Sequence, residues 1–197
     1  MAPAVAAAPV TVAWPVNGSP LRVLYVGDSI TDGGLVTDWH NKFKVTTLAW
    51  LETHGPVAPT YRGKGGVRVA YWAVRKMPSG TNLAIIELGT NDSFKVPEPT
   101  AAQIAQFGVS YRHLVAAIRA KSASAKILCL SIWHPLERPG SPAAYNAAIK
   151  RDCPGAYVPI TDLGAVSANI AADKFHPNDA AHLAISARIE RAIHIAP

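Results

Sequence analysis

Apolar runs of strand length recur along the chain from residue 21 onward. Residues 21–26 (LRVLYV), 82–88 (NLAIIEL) and 125–134 (AKILCLSIWH) are nearly continuous apolar runs, which is typical of strands buried on both faces. Shorter runs at 57–62 and 156–164 predict two further strands. Five strands are therefore expected, with connecting segments between them that are long enough to hold helices.

Apolar side chains recur at three- and four-residue intervals in the segments between these strands. The spacing predicts helices through Trp39, Phe43, Trp50 and Leu51, through Ile104, Phe107, Tyr111, Leu114, Val115 and Ile118, over 144–151, and through Ile185, Ile189 and Ile193. Asn178 or Asp179 is placed to cap the last helix.

The alternation of strands and helices predicts an α/β fold. Crossover helices between parallel strands cover both faces of the sheet, so we expect a three-layer α/β/α sandwich. The five strands suit the flavodoxin-like order 2-1-3-4-5, in which the switch point lies between the first and third strands. The turns GDS at 27–29 and GTND at 89–92 follow these two strands. They are expected to meet in one crevice.

Length and composition fit one globular domain. The 197 residues are 49% hydrophobic and 16% charged, which is not a disordered composition. We expect a single domain over 21–197, preceded by a flexible leader over 1–20. The leader begins MAPAVAAAPV, a small, apolar and uncharged stretch that favours an exported protein.

Several partners are not expected. The net charge is +6, but the 19 basic residues are scattered and form no run, which disfavours nucleic acid binding. No apolar stretch approaches the roughly 20 residues of a membrane span. Cys129 and Cys153 are too few for a disulfide framework, and they can be two buried thiols or one bridge between neighbouring strands. The oligomeric state is left open.

Ser29 follows the first buried strand, and glycines flank it at 27, 33 and 34. A serine oxygen is a poor nucleophile unless a base removes its proton. Of the seven histidines, His134 and His176 are each followed by proline in a loop beyond a late strand. Asp173 precedes His176 by three residues, near enough to hold one ring nitrogen while the other faces a serine. We therefore expect His176, and not His134, to be the base.

An oxyanion needs hydrogen-bond donors in the same crevice. The candidates are the backbone N–H of Ser29, the side-chain amide of Asn91 and a glycine N–H from the RGKGG turn, at Gly65 or Gly66.

These blocks, in this order, resemble the SGNH hydrolases of the GDSL esterase and lipase family. The matching blocks are GDSIT (27–31), a glycine block in RGKGG (62–66), GTND (89–92) and DKFHPN (173–178). The resemblance implies Ser29 as nucleophile, His176 as base and Asp173 as the acid that orients it. It also implies an oxyanion hole formed by Ser29, Gly66 and Asn91.

The resemblance implies a serine esterase for small carboxylic esters without a cofactor or a metal ion. Short loops at the strand ends favour short acyl groups, acetyl above all, on sugars or similar alcohols. An acyltransferase with the same acyl-enzyme, or a lysophospholipase or thioesterase, is the alternative. The residues expected to line the substrate are Asp28, Phe94, Trp133 and His134. The basic side chains expected around it are Arg62, Lys64, Arg68, Lys95, Arg138 and Lys174.

Overall fold

The structure, a computed structural model, describes residues 8–94 and 96–196. The strands in these ranges are β1 (Val10–Val12), β2 (Leu21–Gly27), β3 (Val57–Gly63), β4 (Leu83–Glu87), β5 (Lys126–Leu130), β6 (Ala156–Val158) and β7 (Ile193–Ile195). The α-helices are α1 (Ser29–Asp32), α2 (Phe43–Glu52), α3 (Val69–Ala73), α4 (Thr90–Ser93), α5 (Ala101–Lys121), α6 (Pro142–Asp152) and α7 (Asp179–Arg191). Short 3-10 helices cover Trp39–Asn41, Thr161–Ala165 and Ser167–Asn169.

The central sheet contains five parallel strands in the order β3-β2-β4-β5-β6. Counted in chain order within this sheet alone, that arrangement is 2-1-3-4-5. The predicted α/β class and five-stranded parallel sheet are confirmed. Gly27 at the end of β2 pairs with Gly63 of β3 and with Glu87 of β4. The turns that follow these three strands therefore begin at the same edge of the sheet.

Alternation along the strands divides the core between the two faces of the sheet. In β2, Leu24 and Val26 join one buried cluster, whereas Val23 and Tyr25 join the other. Helices α3, α5 and α6 contribute to the first cluster, and α2 and α7 contribute to the second. The three layers follow from this two-sided burial, since a buried parallel sheet needs a helical layer on each face.

The expected flexible leader is wrong for part of its length. Val10–Val12 form β1, which pairs in parallel with β7 near the end of the chain. Val12 is buried, and the Trp14 indole N–H donates to the Pro56 carbonyl at 2.9 Å. Residues 1–7 of that leader lie outside the described residues. Ile193, expected on the last helix, instead begins β7.

The helix expected through Trp39 is interrupted. Trp39 lies in a separate 3-10 turn, and 60% of it is exposed. Lys42, which has an extended ψ of 129°, separates that turn from α2. The side chain of Asp38 caps the turn by accepting from the His40 N–H. Within the described ranges, none of the helices combines the length and apolar character that a membrane crossing requires.

Cys129 and Cys153 form a disulfide with a Cα–Cα distance of 6.1 Å. Cys129 lies in β5, and Cys153 directly follows α6. The bridge therefore joins the sheet to the helix that packs on it, and of the two arrangements left open by the sequence the bonded one is observed.

Candidate active site

Ser29 is placed by a sharp junction between β2 and α1. A side chain at Gly27 would bring its Cβ to 1.8 Å from Thr31 Oγ1 and 2.6 Å from the Glu87 carbonyl oxygen, so only glycine fits the end of this strand. Asp28 then caps α1, because its Oδ1 accepts from the Ile30 N–H at 3.0 Å. Ser29 is the first residue of α1 and remains partly exposed.

The structure brings Ser29, His176 and Asp173 into one hydrogen-bonded chain. Ser29 Oγ lies 2.9 Å from His176 Nε2, and His176 Nδ1 lies 2.6 Å from Asp173 Oδ2. The side chains of His176 and Asp173 are 20% and 32% exposed, so the chain lies near the protein surface. An arrangement of this kind can remove a proton from the serine oxygen as the oxygen attacks a carbonyl carbon.

The loop at 173–176, which we call the DKFH arm, orients its own carboxylate. Asp173 Oδ1 accepts from the backbone N–H groups of Phe175 and His176, both at 3.0 Å. Partial burial tends to raise the pKa of Asp173, but hydrogen bonds from the His176 ring and from these two N–H groups outweigh it and hold the pKa below its usual value. The carboxylate is therefore stabilised in the charged form that would orient a histidine.

Asn91 lies where β4 passes into α4, close to the junction that carries Ser29. Its side-chain amide donates to Asp28 Oδ2 at 2.9 Å and to the Val67 carbonyl at 3.0 Å. Gly89, with φ of 117°, makes the turn that points α4 toward this site. The convergence of the GDS and GTND turns expected from the sequence is present in the structure.

The two candidate glycines of the RGKGG turn, Gly65 and Gly66, differ in what a side chain at each would contact. A Cβ built at Gly65 would lie 3.7 Å from Ser29 Cβ, whereas a Cβ at Gly66 has no atom within 4 Å. Gly66 has a left-handed φ of 74°, which favours glycine for backbone reasons. Gly65, and not the expected Gly66, is thus the glycine at which a side chain would contact Ser29.

The expectation that Asp28 lines the substrate is wrong. Asp28 is fully buried, and burial is the largest cause that raises its pKa, to about 6. Glu87, also fully buried, lies beside it and accepts from Thr31 Oγ1 at 3.1 Å. Burial and the Asp28 charge raise the pKa of Glu87 well above its usual value. Sequence reasoning missed Glu87, although one acidic residue ending an apolar strand is a usable signal.

The other three expected lining residues take different positions. Trp133 is fully buried, so it is part of the core, and its indole N–H donates to the Phe175 carbonyl at 2.7 Å. Phe94 is half-buried and packs on Phe175, with ring centroids 4.8 Å apart. His134 is half-buried, and burial lowers its pKa. The expectation of a lining role is therefore wrong for Trp133.

The basic side chains expected around the substrate also take different positions. Arg62, Lys64, Arg68 and Lys174 are exposed, and Lys95 lies outside the described residues. Arg138 instead donates two hydrogen bonds to backbone carbonyls of the DKFH arm.

A cavity of about 410 Å³ borders the arm on another side. Its lining includes Pro135, Leu136, Ile170, Ala172 and Lys174, but neither Ser29 nor His176. Among the described residues, no group of three or more His, Cys, Asp or Glu side chains is arranged to hold a metal ion.

Several solved structures share this fold at low sequence identity. A two-domain esterase active on acetylated mannans matches with a TM-score of 0.69 and 21% identity, over 89% of this chain and 49% of that one. A carbohydrate esterase family 3 protein from Talaromyces cellulolyticus matches with a TM-score of 0.68 and 18% identity, over 87% and 95% of the two chains. An acetyl xylan esterase from Geobacillus stearothermophilus matches with a TM-score of 0.68 and 17% identity, over 89% of this chain and 95% of that one.

The chain thus spans about half the length of the two-domain esterase. No curated protein is similar enough to this chain to count as a match. The model of the GDSL-like lipase/acylhydrolase family, in contrast, matches residues 25–184, which include every block from GDSIT to DKFHPN. With this match over most of its length, the chain belongs to the GDSL-like lipase/acylhydrolase family.

Proposed function

We propose that the protein is a serine esterase that removes short acyl groups, acetyl above all, from saccharides or similar alcohols. The observation that carries the proposal is the chain of hydrogen bonds from Ser29 Oγ through His176 to Asp173, with distances of 2.9 and 2.6 Å. In this proposal Ser29 is the nucleophile, His176 the general base and Asp173 the group that orients the imidazole.

The proposed reaction has two halves. Ser29 Oγ forms a bond to the ester carbonyl carbon while His176 Nε2 takes the serine proton. The tetrahedral intermediate then collapses, the bond to the alcohol oxygen breaks, and His176 returns the proton to that oxygen. Water attacks the acyl-enzyme in the same way and releases the carboxylic acid, which leaves Ser29 protonated again.

We assign the oxyanion donors to the backbone N–H groups of Ser29 and Gly65 and to the amide of Asn91. Gly65 is preferred over Gly66 because a Cβ built at Gly65, and not one built at Gly66, would contact Ser29. Both N–H groups of the Asn91 amide are occupied in this structure, by Asp28 Oδ2 and the Val67 carbonyl, so Asn91 has to give up one of these bonds to donate to the oxyanion. The two backbone N–H groups are fixed donors, which stabilise charge that develops in the transition state without reorganising first.

The small acyl group is supported by the shallow position of the reacting groups. The His176 and Asp173 side chains are partly exposed, and the turns that carry Ser29 and Asn91 are short. Trp133, which the sequence suggested for an apolar lining, is buried and unavailable to an acyl chain. The named activities of two structural neighbours, on acetylated mannans and on acetyl xylan, point to the same substrate class.

The Cys129–Cys153 bridge supports export of the protein. Disulfides persist in oxidising compartments and are rare where thiols are kept reduced. A polysaccharide ester would be met in such an extracellular setting.

A series of aryl esters of increasing acyl length, assayed beside acetylated xylo- and manno-oligosaccharides, tests the proposal. We expect kcat/KM to be highest for acetyl or propionyl esters and to fall beyond about six carbons. A true acyl groove would add about 0.8 kcal/mol, or roughly fourfold, for each buried methylene. Ser29→Ala is the control for background hydrolysis.

Each alternative predicts a different result in this assay. A steady rise of kcat/KM through long chains would overturn the shallow site and favour a lysophospholipase. Preference for acyl thioesters would favour a thioesterase. If an added sugar alcohol, and not water, received most of the acyl groups, the protein would be an acyltransferase.

A further inference from the structure

Each backbone carbonyl of the DKFH arm accepts a hydrogen bond from a group outside residues 173–176. Arg138 Nη2 donates to the Asp173 carbonyl at 2.9 Å, and Arg138 Nε donates to the Lys174 carbonyl at 3.0 Å. The Trp133 indole N–H donates to the Phe175 carbonyl at 2.7 Å, and the Ala171 N–H donates to the His176 carbonyl at 2.8 Å. The four consecutive carbonyls of residues 173–176 are thus bonded by groups outside the arm, three of them by the side chains of Arg138 and Trp133.

The backbone of the arm needs this support. Lys174 has φ of 60°, a left-handed conformation that a residue with a side chain adopts at a cost. The arm lies near the surface and belongs to no helix or strand, although an isolated antiparallel bridge joins its neighbours Ile170 and Pro177. Without external bonds, the left-handed turn would be free to relax and to move both functional side chains.

Arg138 is suited to hold two carbonyls together. Its guanidinium is a planar fork with several fixed N–H donors, and the charge strengthens each hydrogen bond. The guanidinium also lies over the Phe175 ring, 5.9 Å from the centroid. It does not take the place of His176 on the Asp173 carboxylate, whose oxygens are occupied by groups within the arm.

We propose that Arg138 is a positioning residue that sets the distance from His176 Nε2 to Ser29 Oγ by holding the Asp173 and Lys174 carbonyls. Trp133 is the rigid second anchor, since it is fully buried and bonds the next carbonyl along. The inference rests on the proposed roles of His176 and Asp173. Arg138 touches no reacting atom. It acts by raising the fraction of molecules in which the arm holds His176 within hydrogen-bond distance of Ser29.

Arg138→Ala and Arg138→Lys test the inference with an aryl acetate as substrate. We expect Arg138→Ala to lower kcat by about tenfold to a hundredfold with KM nearly unchanged, because small displacements of reacting groups are costly. Arg138→Lys should recover only part of the lost kcat, since an ammonium group keeps the charge but lacks the fork that spans two carbonyls. Added guanidinium at low concentration should also raise kcat of Arg138→Ala.

Arg119→Ala is the matched control, because Arg119 also donates to a backbone carbonyl, that of Ala123 at 2.7 Å, at the far end of α5. It should keep the parent kcat. Thermal melting and titration of active sites with a fluorophosphonate separate misplacement from unfolding. The inference is wrong if Arg138→Ala keeps kcat within about twofold of the parent, or if the loss equals the drop in folded protein. Failure of the proposed function would appear separately, as full activity in Ser29→Ala.

Discussion

Removing the Cys129–Cys153 bridge should lower the free energy of unfolding by an amount that follows from the length of the loop it closes. The two cysteines are separated by 24 residues. The loop-closure entropy of a loop of that length corresponds to about 3.4 kcal/mol at 25 °C. Cys129 is fully buried, so its replacement by alanine adds up to about 1 kcal/mol for the lost packing.

The test is the double variant Cys129→Ala/Cys153→Ala. For a domain of this size, the entropic loss alone corresponds to a fall in Tm of roughly 7 to 14 °C. Denaturant unfolding should give the same change in free energy, and ester hydrolysis after brief heating should fail at a correspondingly lower temperature. The parent unfolded in the presence of reductant is the control, and its stability should approach that of the variant.

Two results would refute this reasoning. One is a difference in unfolding free energy below about 1 kcal/mol, since the loop-closure entropy alone is larger. The other is the detection of two free thiols in parent protein that has been unfolded without reductant. The segment closed by this bridge carries Trp133 and Arg138, so the same variant also shows how far the DKFH arm depends on a stable loop.

Two further predictions concern the oxyanion site and acid stability. Asn91→Ala should lower kcat by about a hundredfold to a thousandfold with little change in KM; a loss confined to KM would contradict an oxyanion role. Burial lowers the pKa of His182 to about 4, against about 6.5 for an exposed imidazole, so its neutral form contributes stability above pH 6.5 that is lost as the pH falls toward 4. His182→Asn keeps an acceptor for the Phe43 N–H. Between pH 7.5 and 4.5, its free energy of unfolding should therefore fall by about 2 kcal/mol less than that of the parent. Parallel stability curves for parent and variant would contradict that origin.

Much of the architecture is readable from local patterns. A near-continuous apolar run such as residues 21–26 predicts a strand buried on both faces, and parallel strands place the turns after them at one edge. That argument alone brings Ser29 and Asn91 together. The short spacing of Asp173 and His176 likewise predicts their contact, because side chains three residues apart can meet across a single turn.

The sequence could not settle which way a polar or aromatic side chain turns at a strand end. Asp28 follows β2 at the crevice, yet its carboxylate turns inward to cap α1 and to meet Asn91. Trp133 follows β5 and is wholly buried, although the sequence equally allowed it to line the site. In both cases the preference depends on partners distant in the chain, which no local spacing encodes.

Long-range pairing of short elements was also beyond the sequence. Val10–Val12 find their partner in Ile193–Ile195, at the opposite end of the chain, and three-residue strands carry almost no periodic signal. The pairing of Cys129 with Cys153 needs the packing of α6 on the sheet to be known first. Arg138 appeared only as one of several scattered basic residues.

The central claim, that Ser29 is a nucleophile activated by His176, is tested most directly by reaction with a fluorophosphonate followed by peptide mass spectrometry. The account predicts one phosphonyl group per chain, with fluoride displaced by Ser29 Oγ, and loss of ester hydrolysis in proportion to labelling. Ser29→Ala should remain unlabelled, and His176→Ala should label far more slowly, whereas His134→Ala should label at nearly the parent rate. Labelling of a different residue, or a folded Ser29→Ala protein that hydrolyses esters at a rate near that of the parent, would contradict the account.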